Sequence, residues 1–237
     1  MALTKVIGSG VGELTDKVGL GLSSPAAPLH VQTSTDGTGL SGDDVYVARF
    51  HNQEATSDKS FGVDIQAGSS TTDQALRIKD HDGTNSLMVV DGVGNVTKPL
   101  NPSFRAMGNN GAYQTTTPVP FPNLTSNNAG FNICSHYNTS NYRFTAPVAG
   151  KYLFHVHMGI VNIGANGGHG YPYLRINGTP IAYSFVQMPA SASYMPAHLT
   201  QIFSLAANDY VDVTFNGSNG TYYGNFTELS FQGCLLG

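Results

Sequence analysis

The sequence predicts an all-β chain, and three observations carry that prediction. No apolar repeat at helical spacing persists for a useful length, because Gly, Pro and β-branched residues recur too often. Short runs of alternating apolar and polar residues recur instead, closed by Gly, Asn and Asp turn signals. Only 11% of the residues are charged, against about a quarter in ordinary soluble domains. Such a surface is solvated by hydroxyls, amides and backbone, or else much of it is hidden between copies.

The first hundred residues hold five short runs: 28–33 (PLHVQT), 44–51 (DVYVARFH), 60–66 (SFGVDIQ), 75–79 (ALRIK) and 86–90 (SLMVV). Turn signals such as Asp82-Gly83 and Gly94-Asn95 separate them. Strands this short bury one face each and are too thin for a conventional core. They are expected to form an extended shaft whose core lies between chains. Residues 1–28 read as a leader and attachment segment, and 29–102 as the β-rich shaft. The boundary is Pro99-Leu100-Asn101-Pro102, where two prolines interrupt any ladder. The opening Val18-Gly-Leu-Gly-Leu-Ser-Ser-Pro25, followed by Leu29-His30-Val31, resembles a recurrent motif of phage and marine viral tail fibres. Ala48-Arg49-Phe50 and the stretch from Leu87 to Val96 follow in the order that resemblance implies.

After Pro102 the strands lengthen and become more aromatic. Phe104-Arg-Ala-Met107 reads as a first strand, and Phe131, Tyr142-Arg-Phe144, Ala146-Pro-Val-Ala-Gly150 and Tyr152-Leu-Phe154 follow. Leu205-Ala-Ala-Asn-Asp209-Tyr-Val211 reads as a tight turn between strands, and Phe231-Gln-Gly-Cys-Leu-Leu236 as a closing strand. With this spacing, residues 103–237 resemble the complement component 1q globular head, one of the tumour-necrosis-factor-like jelly rolls. The resemblance implies two antiparallel sheets face to face, and a three-fold trimer. The residues agree: in 151–160 one face carries Tyr152, Phe154, Val156 and Met158, while the other carries Leu153, His155 and His157. The second face is too apolar and aromatic for a wet side, so it is expected to need a cover. Leu153, His155 and His157 are therefore the trimer-axis candidates.

The recognised topology places short turns (146–150, 177–180, 206–209) at the base of the head and long loops (108–122, 162–170, 187–197, 216–225) at its tip. Tip residues Tyr113, Asn166, His169, Tyr194, Met195, Tyr222 and Tyr223 supply rigid aromatics and adaptable amides, the vocabulary of a recognition surface. The alternative is ordinary solvated turns.

The function expected from this is a virion tail fibre or spike, homotrimeric, held to other virion proteins through its N-terminal region. Its head binds a host-surface receptor or glycan by multivalency. The alternative is a virion decoration or connector whose head is a trimerisation clamp. A secreted lectin or cytokine-like ligand fits less well, since the opening MALTKVIGSG lacks a signal-peptide core. Nucleic-acid binding is not expected: residues 1–102 hold seven Lys/Arg against twelve Asp/Glu, and 103–237 hold four against three, with no basic patch. No apolar run is long enough to enter a membrane.

Enzymatic function and cofactors are not expected. Gly8-Ser-Gly10-Val-Gly12 lacks dinucleotide spacing, no Gly-x-Ser-x-Gly elbow exists, and Asp209, Asp212 and Glu228 are the head's only acids. No metal site is expected either: Asp80-His81-Asp82-Gly83 reads as a turn, and His155 with His157 as packed, hydrogen-bonded rings, a metal or anion being the lesser reading. Cys134 and Cys234 read as free, buried thiols, and the seven Asn-x-Ser/Thr sequons as unmodified.

Overall fold

The computed structural model describes residues 18–20, 29–31, 63–108, 112–113, 118–125, 130–162, 168–190, 194–218, 220–223 and 228–237. The chain divides into two compact units, Met1–Gln66 and Ala67–Gly237. In the first, β1 (Val18–Leu20) and β2 (Leu29–Val31) pair in parallel, with Val18 opposite Leu29 and Leu20 opposite Val31. The run expected at 44–51 lies outside the described residues. The run expected at 60–66 needs correction: its described part, 63–66, joins no ladder. Val63 and Ile65 are exposed.

The second unit opens with an antiparallel meander of β3 (Gln74–Lys79), β4 (Ser86–Asp91) and β5 (Val96–Thr97). Its turns explain the acidic residues. The Asp80 carboxylate accepts hydrogen bonds from the Asn85 backbone N–H (3.0 Å) and side-chain amide (2.7 Å), and Asp82 accepts one from the Thr84 N–H (2.8 Å). Gly83 and Gly94 take φ of 74° and 93°, which a tight turn asks of glycine. None of residues 63–101 is buried.

The remaining strands are β6 (Ser103–Met107), β7 (Ala112–Tyr113), β8 (Phe131–Ile133), β9 (Tyr137–Asn138), β10 (Arg143–Thr145), β11 (Gly150–Asn162), β12 (Gly168–Ile176), β13 (Thr179–Tyr183), β14 (Val186–Met188), β15 (Tyr194–Leu205), β16 (Tyr210–Ser218), β17 (Gly220–Tyr223) and β18 (Leu229–Leu235). They form two sheets. The front sheet runs β7-β17-β11-β18-β6-β8, with β15 on the other edge of β11; the back sheet runs β13-β12-β16-β10-β9, with β14 beside β12. All its pairings are antiparallel, the mark of a jelly-roll sandwich.

Period-two patterning places the core. Tyr152, Phe154, Val156, Met158 and Ile160 of β11 point inward and are fully buried, facing Leu174 of β12 and Val211, Val213 and Phe215 of β16 across the sandwich. Aromatic rings fill one end. Phe104 stacks on Tyr137 (centroids 4.8 Å) and Phe144 (5.1 Å) and meets Phe231 edge-on at 4.9 Å. Gly233 of β18 leaves room for this layer, because a Cβ there would sit 2.6 Å from the Phe154 ring.

Chain direction sorts the two poles. Ser103 pairs with Cys234, Gly150 pairs with Leu205, and the Leu235 N–H donates to the Pro102 carbonyl at 2.9 Å. The first strand therefore enters and the last leaves at one pole. The expected base turns lie there and are tied together by the bonds Ala146 N–H to Asp209 O (2.8 Å) and Asn177 N–H to Tyr210 O (3.0 Å). The longer connections fall at the opposite pole, and parts of each lie outside the described residues.

Candidate functional site

Two outward surfaces and one internal cluster hold the head's chemistry. The internal cluster is Asp212, fully buried on β16. Its carboxylate accepts bonds from Arg175 Nε (2.7 Å) and a terminal nitrogen (2.8 Å), and from Arg143 Nε (3.2 Å). The Arg143 guanidinium also lies 4.1 Å over the Tyr210 ring. Every oxygen of Asp212 is thus engaged by a guanidinium, which makes it a strut rather than a free acid. Asp209 is held in its turn, accepting from Asn177 Nδ2 and the Ala206 N–H at 2.8 Å each. These bonds, that from Asn177 first, keep its carboxyl below the usual aspartate range.

The outer face of the front sheet reads as rungs across five strands. One rung is Ile202, Leu153, Cys234, Ser103 and Ile133; the next is Thr200, His155, Gln232, Arg105 and Phe131; His198 and His157 pair on the third. On the two edge strands, Ile202 is 58% exposed and Phe131 44%. A hollow of about 160 Å³ lies between Phe131, Leu153, His155, Gln232 and Cys234. His155 Nδ1 meets Thr200 Oγ1 at 2.7 Å, and His157 Nδ1 meets His198 Nδ1 at 3.2 Å. Burial, then the neighbouring His198, lowers the pKa of both His155 and His157 below the usual imidazole value. The trimer-axis candidates Leu153, His155 and His157 do share this face.

The outer face of the back sheet is different. His169, Tyr171 and Tyr173 alternate outward along β12, and Tyr183 and Phe185 come up beside them. Each ring lies close to another: His169–Tyr171 at 5.1 Å, Tyr171–Phe185 at 5.1 Å, Tyr173–Tyr183 at 5.4 Å and Tyr171–Tyr173 at 5.9 Å. On the other flank β16 places Ser218, Asn216 and Thr214 opposite His169, Tyr171 and Tyr173. Except for His169, the sequence reading passed over this ladder. The signal was present as His-x-Tyr-x-Tyr and Tyr-x-Phe at period two.

Of the tip residues named from sequence, the described side chains are His169, Tyr194, Met195 and Tyr222. His169 belongs to the ladder. Tyr194 lies at the start of β15, 39% exposed, over Gly159, where an added Cβ would sit 2.6 Å from its ring. Burial, then Glu228, raises the Tyr194 phenol pKa. Tyr222 must be corrected: it is fully buried, edge-on to Phe215 at 5.1 Å, because β17 adds to the front sheet and turns this ring into the core. Met195 is half-buried and packs against the core. The backbones of Tyr113 and Tyr223 pair in strands β7 and β17, their side chains lying outside the described residues, as does Asn166 entirely. The cysteines are free, but Cys134 is exposed and Cys234 half-buried. Cys134 leaves the end of β8 in a left-handed turn (φ 58°), which carries its thiol off the sheet.

No curated protein matches the sequence. The globular domain of the zebrafish complement 1qA protein is similar in structure, at 16% identity and a TM-score of 0.44, over 57% of this chain and 98% of that one. The C1q domain model matches residues 103–236. With that match spanning more than half of its 237 residues, the chain belongs to the C1q domain family.

Proposed function

We propose that this chain is a homotrimeric, non-catalytic fibre or spike protein of a virus particle, whose C1q head binds a receptor or glycan on a host surface. The observation that carries the reading is the outer face of the front sheet. Ile202, Phe131, Leu153 and Ile133 lie there, with a hollow beside Phe131 and Leu153, and a lone copy leaves that apolar surface in water. A second and third copy packed face to face around an axis bury it, and Leu153, His155 and His157 then line the contact. The preceding meander supports the same reading, since a sheet without one buried residue gains a core when copies lie side by side. The low charge of the whole chain is that of a surface largely shared between copies.

The particle assignment rests on the order of the motifs from Val18 to Val96 and on the thin strands before the head. Attachment to other virion proteins falls to the N-terminal region, and recognition to the head. Three sites per head gain avidity without a tight single site.

Light scattering of the full chain at micromolar concentration tests the assembly. The expected mass is three times the 25.0 kDa of one chain. Ile202→Glu, placing a charge on the contact face, is expected to lower that mass while leaving the β-sheet circular dichroism unchanged. A monomer at that concentration would end this reading.

A further inference from the structure

The back sheet faces away from the surface assigned to assembly, and its aromatic ladder is not needed by the core. Tyr183 is 60% exposed and Phe185 51%. Rings of this size normally bury most of their area, yet five of them form one connected outward cluster. Four of the five have a polar ring edge, three phenol hydroxyls and one imidazole. Hydroxyl and amide side chains flank the cluster, Ser218 and Asn216 being exposed beside His169 and Tyr171.

Charge decides which ligand class fits. From 168 to 188, Arg175 is the only Asp, Glu, Lys or Arg, and 213–218 contain none. Arg175 is itself committed to Asp212 at 2.7 Å. One strand on, Arg143 stands on the next rung of the same face, its side chain 35% exposed but bonded to Asp212 at 3.2 Å and lying over the Tyr210 ring. Among the described residues, no cation or carboxylate beside the rings therefore lacks a partner, and an uncharged ligand is favoured over an acidic or a basic one. A pyranose chain without charge matches on every count. Its axial C–H faces pack on rings, its equatorial hydroxyls bond to hydroxyls and amides, and an extended chain crosses several rings in succession. We infer that His169, Tyr171, Tyr173, Tyr183 and Phe185, with Asn216 and Ser218 alongside, form a binding platform for an uncharged polysaccharide. This deepens the proposed receptor binding and rests on it: a trimer carries three such platforms on its flanks rather than one site at its tip.

Affinity electrophoresis of the full-length protein in gels containing dextran, yeast mannan, galactomannan or hydroxyethylcellulose tests the platform. At least one of these neutral polymers is expected to retard the protein. The double variant Tyr183→Ala/Phe185→Ala removes two rings that are more than half exposed, so the fold is retained, as near-ultraviolet circular dichroism will check. It is expected to bind that polymer about tenfold more weakly, the loss that follows from about 1.4 kcal/mol of stacking. Val148→Ala, which trims an exposed side chain in a turn at the base of the head, is expected to bind as the parent does. No retardation by any neutral polymer, retardation by alginate alone, or equal retardation of the parent and the double variant overturns the platform. The solution mass separates the two readings: a trimer that binds no neutral polymer leaves assembly standing with the head as a clamp, whereas a monomer that binds one leaves the platform standing without its multivalency.

Discussion

Asp212 is the residue on which the back sheet's polar economy turns. A carboxylate without solvent access is tolerated only when fully paired, and here two guanidiniums do the pairing. Replacing Asp212 by Ala leaves Arg175, 12% exposed, without its counter-charge. The expected loss is about 3–5 kcal/mol of stability, measured by urea unfolding; a change below about 1 kcal/mol would mean that the guanidiniums find other partners. The sequence marked Asp212 as one of the few acids but could not tell a strut from a catalyst, because its partners come from strands 37 and 69 positions away. Local conformation was more legible. Asn208 stands in a turn that asks for a left-handed residue and takes φ 71°, which Asn tolerates better than other non-glycine residues. Cys134 was misread because its apolar neighbours suggested a strand that in fact stops at Ile133.

Among the elements, β11 shows how one strand serves two surfaces. Its period-two pattern was plain in the sequence, and the structure follows it: Tyr152, Phe154, Val156 and Met158 inward, Leu153, His155 and His157 outward. The outward histidines make the front sheet sensitive to acid. His157 Nδ1 and His198 Nδ1 share one proton across 3.2 Å, so one ring must keep a lone pair there, and Arg105 adds a positive charge nearby. Both His155 and His157 have their folded-state pKa lowered from 6.5, burial being the first cause. The unfolded chain therefore takes up protons first. The stabilisation from neutral imidazoles is fully present above the unfolded value and is lost as pH falls through it toward the lowered folded values. Melting temperature is expected to drop between pH 7.5 and 5, and His157→Gln to flatten that drop. An identical slope in the variant would remove His157 from the effect. What the pattern of β11 could not reveal was the neighbour at each rung. His198 is 41 positions from His157, and the aromatic ladder needs β12, β13 and the residues after it to come together. Long-range register of this kind is set by core packing, which a single strand's pattern does not contain.

For the molecule as a whole, the sandwich of residues 103–237 was legible through aromatic spacing and turn residues, and the strands before it only in part. The meander of β3 to β5 stands at 74–97, as the runs at 75–79 and 86–90 predicted, but its burial does not follow from any run: Ile78, Leu87, Val93 and Val96 are between 42% and 57% exposed. If copies share these surfaces, folding and association are one equilibrium, and stability rises with protein concentration. A hundredfold increase in concentration is expected to raise the calorimetric melting temperature by several degrees; a constant value would mean that each chain melts alone. The pole where Pro102 and Leu235 meet carries a further consequence. Its turns are laced to one another by main-chain bonds, so an insertion there disturbs several strands at once. The far hemisphere is tied as well, Met107 to Asn123 in both directions, Gly108 N–H to Leu229 O at 2.8 Å and Gly159 N–H to Glu228 O at 2.7 Å, so inserted residues fit at either end only beyond these ties.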